Sequence, residues 1–177
     1  MNKRIILTGA QGTGKTTILN LFKEAGWPVI TEVVRKLHKE QGIGINRDGN
    51  GNTQQMVFNA YNELLAAEGP YVSDRGLTDV MAYSTDAMKQ GKMDPIEAMK
   101  QGVGLANFVR NNPDIVYIYF PIEFEVVNDG VRSVDTEYQK VIDAYIKSSL
   151  DTLKINYLTV HGTPEERYNQ IMNFISR

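Results

Sequence analysis

The sequence predicts an open α/β fold: a parallel sheet covered by helices on both faces. Three observations carry this. Short β-branched runs alternate with helical periodicities, no series of hairpin turns joins the strands, and the first strand enters a helix through a glycine-rich turn. In such a sheet ligands lie beyond the carboxyl ends of the strands. The chain has 177 residues, 42% hydrophobic and 23% charged, which fits one soluble domain over 1–177 with no repeat, linker or low-complexity tract.

"KRIILTG" ends at Gly9 as a buried strand would, and Ile18, Leu19, Phe22 and Ala25 then recur at helical spacing up to a C-capping Gly26. "WPVITE" reads as a second strand and "EVVRKLHKE" as the helix leaving it. Gln41 to Thr53 is crowded with Gly and Asn and reads as a surface loop or the rim of a site. "TQQMVFNAYNELLAAEG" is then a helix, "PYVSD" a third strand and "LTDVMAYSTDAMKQG" another helix. In "DPIEAMKQG", Asp94 is the N-cap, Pro95 the first helical residue and Glu97 the capping-box partner. "DIVYIYF", Asp114 to Phe120, has almost no polar residue inside it and reads as a central strand. Val134, Tyr138, Val141, Ile142, Tyr145, Leu150 and Leu153 mark one face of a long helix. "NYLTV" is the last strand, and Thr163, Pro164 and Glu166 open the last helix with a capping box.

Composition narrows the chemistry. Nineteen Lys and Arg against 21 Asp and Glu give a net charge of −2, so no general basic field draws in nucleic acid or anionic membrane. The absence of cysteine excludes a disulfide scaffold, a thiolate nucleophile and a cysteine-ligated metal, and fits a reducing cytoplasm. The apolar run after "MNKR" is too short for a signal peptide or spanning helix, so neither targeting nor membrane association is expected. His38 and His161 lack metal-ligand spacing.

Gly9, four residues, then Gly14, Lys15 and Thr16 satisfy G-x-x-x-x-G-K-[ST] between a strand and a helix. The backbone N–H groups of Gln11, Gly12, Thr13, Gly14, Lys15 and Thr16 can curl into an anion-binding nest, with Thr17 in the first helical turn and the helix dipole behind them. Lys15 is expected to reach the β- and γ-phosphates and the Thr16 hydroxyl to ligate Mg²⁺.

The third strand ends "VSDRG". Asp74 can hold Mg²⁺, while Arg75, where a water-attacking enzyme often has a second acid, suits neutralising phosphoryl oxygens; a surface ion pair is the plainer alternative. Glu32 follows the second strand, where a carboxylate can take the proton of an attacking hydroxyl or simply complement the helix dipole. Arg35, one turn on, can hold that carboxylate or an acceptor group. Arg132 in "NDGVRSVD" is a candidate lid cation at about 128–136, or a solvated loop arginine.

On "GAQGTGKTT", "TEVVRKL", "TQQMVF", "SDRGLTDVMAYS", "DGVRSVDTEYQ" and "HGTPEERYNQI", nearly the whole chain resembles a group of P-loop kinases. The nearest resemblance is to the AAA-type ATP-binding family beside the ribosylnicotinamide kinases, and more distantly to the deoxynucleoside kinases, a group often encoded by bacterial viruses. It implies the P-loop NTPase fold with five parallel strands in the order 2-3-1-4-5, and ATP with Mg²⁺ as donor. It further implies Glu32 as base, Asp74 and Arg75 as the metal and phosphate pair, Asp79 near the acceptor, Arg132 on the lid, and Gly162 and Thr163 beside adenine. Gln54 or Gln55 falls where deoxynucleoside kinases read the base, and Gln55 is the position adopted. The chain departs from those kinases in having Asp74 rather than glutamate before Arg75, and in lacking their proline after the second-strand motif. The expected reaction moves the γ-phosphoryl of ATP to a nucleoside, nucleotide or nicotinamide riboside. A nucleic-acid kinase, a nucleotide-binding switch and an ATPase are the alternatives.

Overall fold

The computed structural model describes residues 3–44, 49–123 and 136–176. Five strands, β1 (Arg4–Thr8), β2 (Val29–Ile30), β3 (Tyr71–Asp74), β4 (Val116–Tyr119) and β5 (Tyr157–Thr159), form one parallel sheet in the order β2-β3-β1-β4-β5. β1 is central, pairing Leu7 with Asp74 on β3 and Thr8 with Tyr119 on β4. The helices are α1 (Lys15–Glu24), α2 (Val33–Gln41), α3 (Gly51–Leu65), α4 (Leu77–Lys89), α5 (Pro95–Asn111), α6 (Thr136–Thr152) and α7 (Pro164–Ile175). Both the expected fold and the expected strand order are observed.

Strand alternation sorts the core into two layers. Ile5 and Leu7 pack with Ile118 and Phe120 against Phe22 of α1 and Ile171 of α7. Ile6 points the other way, into a layer with Phe58 of α3, Leu77 of α4 and Ile142 of α6. Phe22 is fully buried, a burial that stabilises the fold by about 2–3 kcal/mol. With both faces covered, the carboxyl edge of the sheet stays open between the helices.

Several local expectations change. α3 begins at Gly51 rather than Thr53, because the Asn50 side chain caps it by accepting from the Thr53 N–H at 3.0 Å. Asp94 caps α5 by accepting from the Ile96 N–H, but Glu97 completes no capping box; its carboxylate lies against Gly51. Val141 is 39% exposed, so the buried stripe of α6 runs through Tyr138, Ile142, Ile146 and Leu150 instead. The capping box of Thr163 and Glu166 forms as read. Val134 lies outside the described residues, as do Arg132 and all of the 128–136 segment except Thr136. Among the described residues no helix is long and apolar enough to cross a membrane.

Candidate active site

β1 ends against β4 so closely that a β-carbon on Gly9 would stand 2.5 Å from the Phe120 carbonyl oxygen. Only glycine fits there, and its φ of 141° lets the chain turn out of the sheet. Gly12 and Gly14 are also left-handed, at φ 78° and 90°, and Gly14 is the N-cap of α1. The resulting turn has the left-handed glycines that the expected cradle requires. Lys15 is buried and folded back over it, donating to the Gly9 carbonyl at 2.7 Å, the Ala10 carbonyl at 2.5 Å and Thr13 Oγ1 at 3.1 Å.

The cradle is also held from behind. Gln139 of α6 donates to the Gln11 carbonyl at 2.7 Å, and Arg167 of α7 to the Thr13 carbonyl at 2.7 Å. Asp143, whose carboxyl is pushed up by burial, meets the Ala10 N–H and accepts from Tyr119 at 2.8 Å. Arg167 is itself 2% exposed, and its other nitrogen donates to Glu123 at 2.5 Å.

Beside the cradle, Thr16 Oγ1 donates to Asp74 Oδ2 at 3.1 Å. These are two hard oxygen donors at the end of β3, the ligand chemistry of a small hard cation. Among the described residues no group of three or more His, Cys, Asp or Glu gathers, so such a cation there needs oxygens from phosphate and water as well.

Arg75 occupies the left-handed region at φ 79°, an unusual conformation for a residue with a β-carbon. Its peptide is pinned on both sides, by Arg75 N–H to the Leu7 carbonyl at 2.9 Å and Ser73 Oγ to the Arg75 carbonyl at 2.7 Å. The turn throws the guanidinium into the cleft, 5.6 Å from the centre of the Tyr83 ring and 3.5 Å from Asp79. Burial pulls its pKa down, but Tyr83, Asp79 and Asp74 around it more than offset that, and it stays cationic. The nitrogen that faces Asp79, Nη1, makes that ion pair but no hydrogen bond.

Asp79 is 1% exposed and tied to the protein itself: it accepts from Thr8 Oγ1 at 2.8 Å and from the N–H groups of Gly76 at 3.2 Å and Gly9 at 3.3 Å. Burial pushes its carboxyl up, against the pull of Arg75 and Lys15. It joins the end of β1 to the start of α4, and reaches the cleft mainly through Arg75.

Glu32 is also left-handed, at φ 59°, at the N-cap of α2. Its carboxylate is half exposed and held by Arg35 Nη1 at 3.0 Å, so of the two roles open to Arg35 the structure displays the carboxylate partner. Cradle, Thr17, Glu32, Asp74, Arg75 and Asp79 line one cleft of about 670 Å³. Val33, Val57, Tyr61, Val80, Tyr83 and Tyr138 also line it.

Three expected residues fall elsewhere. Gln54 lines the cleft, whereas Gln55 bonds Asn59 at 2.8 Å and Gln101 at 3.2 Å on another face of α3. One helical residue is a rotation of about 100°, which sequence spacing did not resolve. Gly162 and Thr163 lie outside the cleft: Gly162 N–H donates to Glu123 at 3.2 Å and His161 pairs with the same carboxylate.

The sequence reading missed Glu123, Gln139, Asp143 and Arg167. A signal existed for two of them. Arg167 precedes Ile171 and Ile175 on a buried helical stripe, and Gln139 precedes Ile142 and Ile146 on another. A polar residue on an apolar stripe needs a buried partner.

Comparison with known proteins agrees with this geometry. No curated protein sequence matches the chain. Among solved structures, deoxyadenosine kinase from M. mycoides with bound dATP is similar with TM-score 0.71 and 16% identity, over 99% of this chain and 100% of that one. NadR protein in complex with NAD and AMP-PNP has TM-score 0.71 and 12% identity over 98% of this chain, which spans 48% of that chain. Shikimate kinase from Aquifex aeolicus has TM-score 0.57 and 19% identity, over 98% and 96%. At these identities the likeness is one of fold, the P-loop NTPase fold. The sequence profile of the AAA domain matches residues 4–167, and the chain therefore belongs to the AAA domain family.

Proposed function

We propose that the protein is a kinase that transfers the γ-phosphoryl group of ATP, as its Mg²⁺ complex, to a hydroxyl of a nucleoside-like small molecule. The observation that carries this is the continuity of the cleft. A phosphate cradle, a half-buried arginine and an aromatic-lined compartment share one space of about 670 Å³. A water-attacking enzyme has no use for the third part.

In this reading the triphosphate draws Lys15 off the Gly9 and Ala10 carbonyls and onto its β- and γ-oxygens. Thr16 and Asp74 would hold Mg²⁺, which would supply charge neutralisation to the phosphates. Glu32, released from Arg35, accepts the acceptor's hydroxyl proton, and Arg75 meets the charge that spreads over the transferred group. The half-buried Tyr83 offers aromatic surface to a ring beside the buried Tyr61 and Tyr138, with Gln54 as the polar reader in the cleft. The similarity to a deoxyadenosine kinase and to NadR protein supports an acceptor of this size.

Transfer to a nucleic-acid strand is the weaker reading. Two cations of the cleft are each paired with a carboxylate, Arg35 with Glu32 and Arg75 with Asp79, which leaves them less available to a phosphate backbone. A nucleotide-binding switch or an ATPase would leave the aromatic compartment without a role.

The test uses γ-labelled ATP and Mg²⁺ with pooled nucleosides, nucleoside monophosphates, nicotinamide riboside and DNA, beside water alone. We expect label on a nucleoside pool, reduced at least about 100-fold by Lys15→Ala. Label released only as free phosphate would overturn the kinase reading.

A further inference from the structure

We infer that Arg167 is a positioning residue of the phosphate cradle, acting on the bound anion through the Thr13–Gly14 peptide. The inference rests on the cradle as an anion site and not on which acceptor is phosphorylated.

In a nest the N–H groups face the anion, so their carbonyl partners must face away and find donors elsewhere. The Thr13 carbonyl and the Gly14 N–H belong to one peptide unit. Arg167 Nη1 donates to that carbonyl at 2.7 Å, and Arg167 does not line the cleft. A cation on the oxygen end of a peptide fixes the plane of the N–H at its other end and polarises it, which strengthens its bond to an anion. Because Gly14 is the N-cap of α1, that N–H stands at the positive end of the helix dipole as well.

The surroundings hold Arg167 to this task. Its guanidinium lies 5.7 Å from the centre of the Phe120 ring, next to the strand end that presses on Gly9. Nη2 is gripped by Glu123 at 2.5 Å, and Glu123 also takes the Gly162 N–H and the His161 ring nitrogen. Burial alone would raise the Glu123 carboxyl, but the bonds from His161, Arg167 and Gly162 keep it below its usual range and therefore ionised. A β-carbon on Gly14 would come within 3.3 Å of Arg167 Nη1, so the arginine sits directly behind the cradle. Gln139 of α6 does the same for the Gln11–Gly12 peptide, but as a neutral donor to the Gln11 carbonyl.

The experiment measures binding of inorganic tripolyphosphate by calorimetry to the full chain and to Lys15→Ala, Arg167→Met, Arg167→Lys and Glu123→Gln, with thermal melting of each. Tripolyphosphate carries no base and needs no acceptor, so the result is independent of the kinase reading. Arg167→Met keeps the volume and removes the donors; its affinity should fall about tenfold. Arg167→Lys restores a cation and one donor and should recover most of that loss. Glu123→Gln leaves Arg167 in place with a neutral partner and should cost about two- to threefold. If Arg167→Met fails to fold, the latter two variants carry the test: Arg167→Lys must bind more weakly than the unaltered chain by a few-fold. Equal affinity across all Arg167 and Glu123 variants, with Lys15→Ala weakened, would overturn the inference while leaving the cradle intact. No binding by the unaltered chain would overturn both.

Discussion

Arg75 and Asp79 illustrate how a residue's role depends on what surrounds it. Arg75 reaches the cleft through a left-handed turn that three neighbours hold in place: Leu7 and Ser73 at its own peptide, and Tyr61, whose hydroxyl donates to the Asp74 carbonyl at 3.0 Å. Strain of this kind is kept only where packing over-determines it, and it commonly marks functional sites. Asp79 is the counter-charge of the half-buried arginine. We expect Asp79→Asn to destabilise the fold by about 2 kcal/mol, because Arg75 loses its counter-charge while the amide keeps only part of the bonding to Thr8 and Gly76. Urea unfolding checks this. A loss below about 0.5 kcal/mol would show that Asp79 is a replaceable group facing the ligand rather than a structural knot.

At the scale of elements, the site depends on where helices begin. α1 starts at the cradle, α4 just after Arg75, and α7 close to the Glu123 cluster. The start of α7 is fixed by a reciprocal cap, with Thr163 Oγ1 accepting from the Glu166 N–H at 3.3 Å and Glu166 Oε2 accepting from the Thr163 N–H at 2.7 Å. Thr163→Ala should cost about 1 kcal/mol and, since Arg167 lies one turn on, should also weaken tripolyphosphate binding. Paired denaturation and calorimetry measure both effects. A stability loss with unchanged binding would mean that α7 supports the fold without shaping the cradle. The cap was legible in the sequence because it needs only residues three apart; the grip of Arg167 on Thr13 spans 154 positions and was not.

For the whole molecule, the sheet order decides which chain segments meet. β1 lies between β3 and β4, so the cradle after β1 is flanked by Asp74 and Arg75 after β3 and by Phe120 and Glu123 after β4. β2, at the sheet edge beyond β3, delivers Glu32 to the far side of the same cleft. A ligand bridging these ends should stabilise the molecule as a unit. At about 100 times its dissociation constant, Mg²⁺ with a non-hydrolysable ATP analogue should add about 2.7 kcal/mol, or roughly 5–10 °C in melting temperature. Lys15→Ala should abolish the shift, and chelating the metal should reduce it. A shift of the same size without metal would argue against the pairing of Thr16 with Asp74 as a cation site.

The sequence by itself determined the alternation of strands and helices, the glycine turn from Gly9 to Thr16, and the caps at Asp94 and Thr163, because each is written in neighbours along the chain: period, glycine freedom and a side chain two or three residues from its partner. Tertiary structure alone decided that Gln54 rather than Gln55 lines the cleft, that Asp79 is spent on Arg75 and the end of β1, and that Arg167 and Gln139 brace the cradle from behind. These contacts join residues tens to more than a hundred positions apart, and no local periodicity encodes which buried polar group will find which partner once the helices close over the sheet.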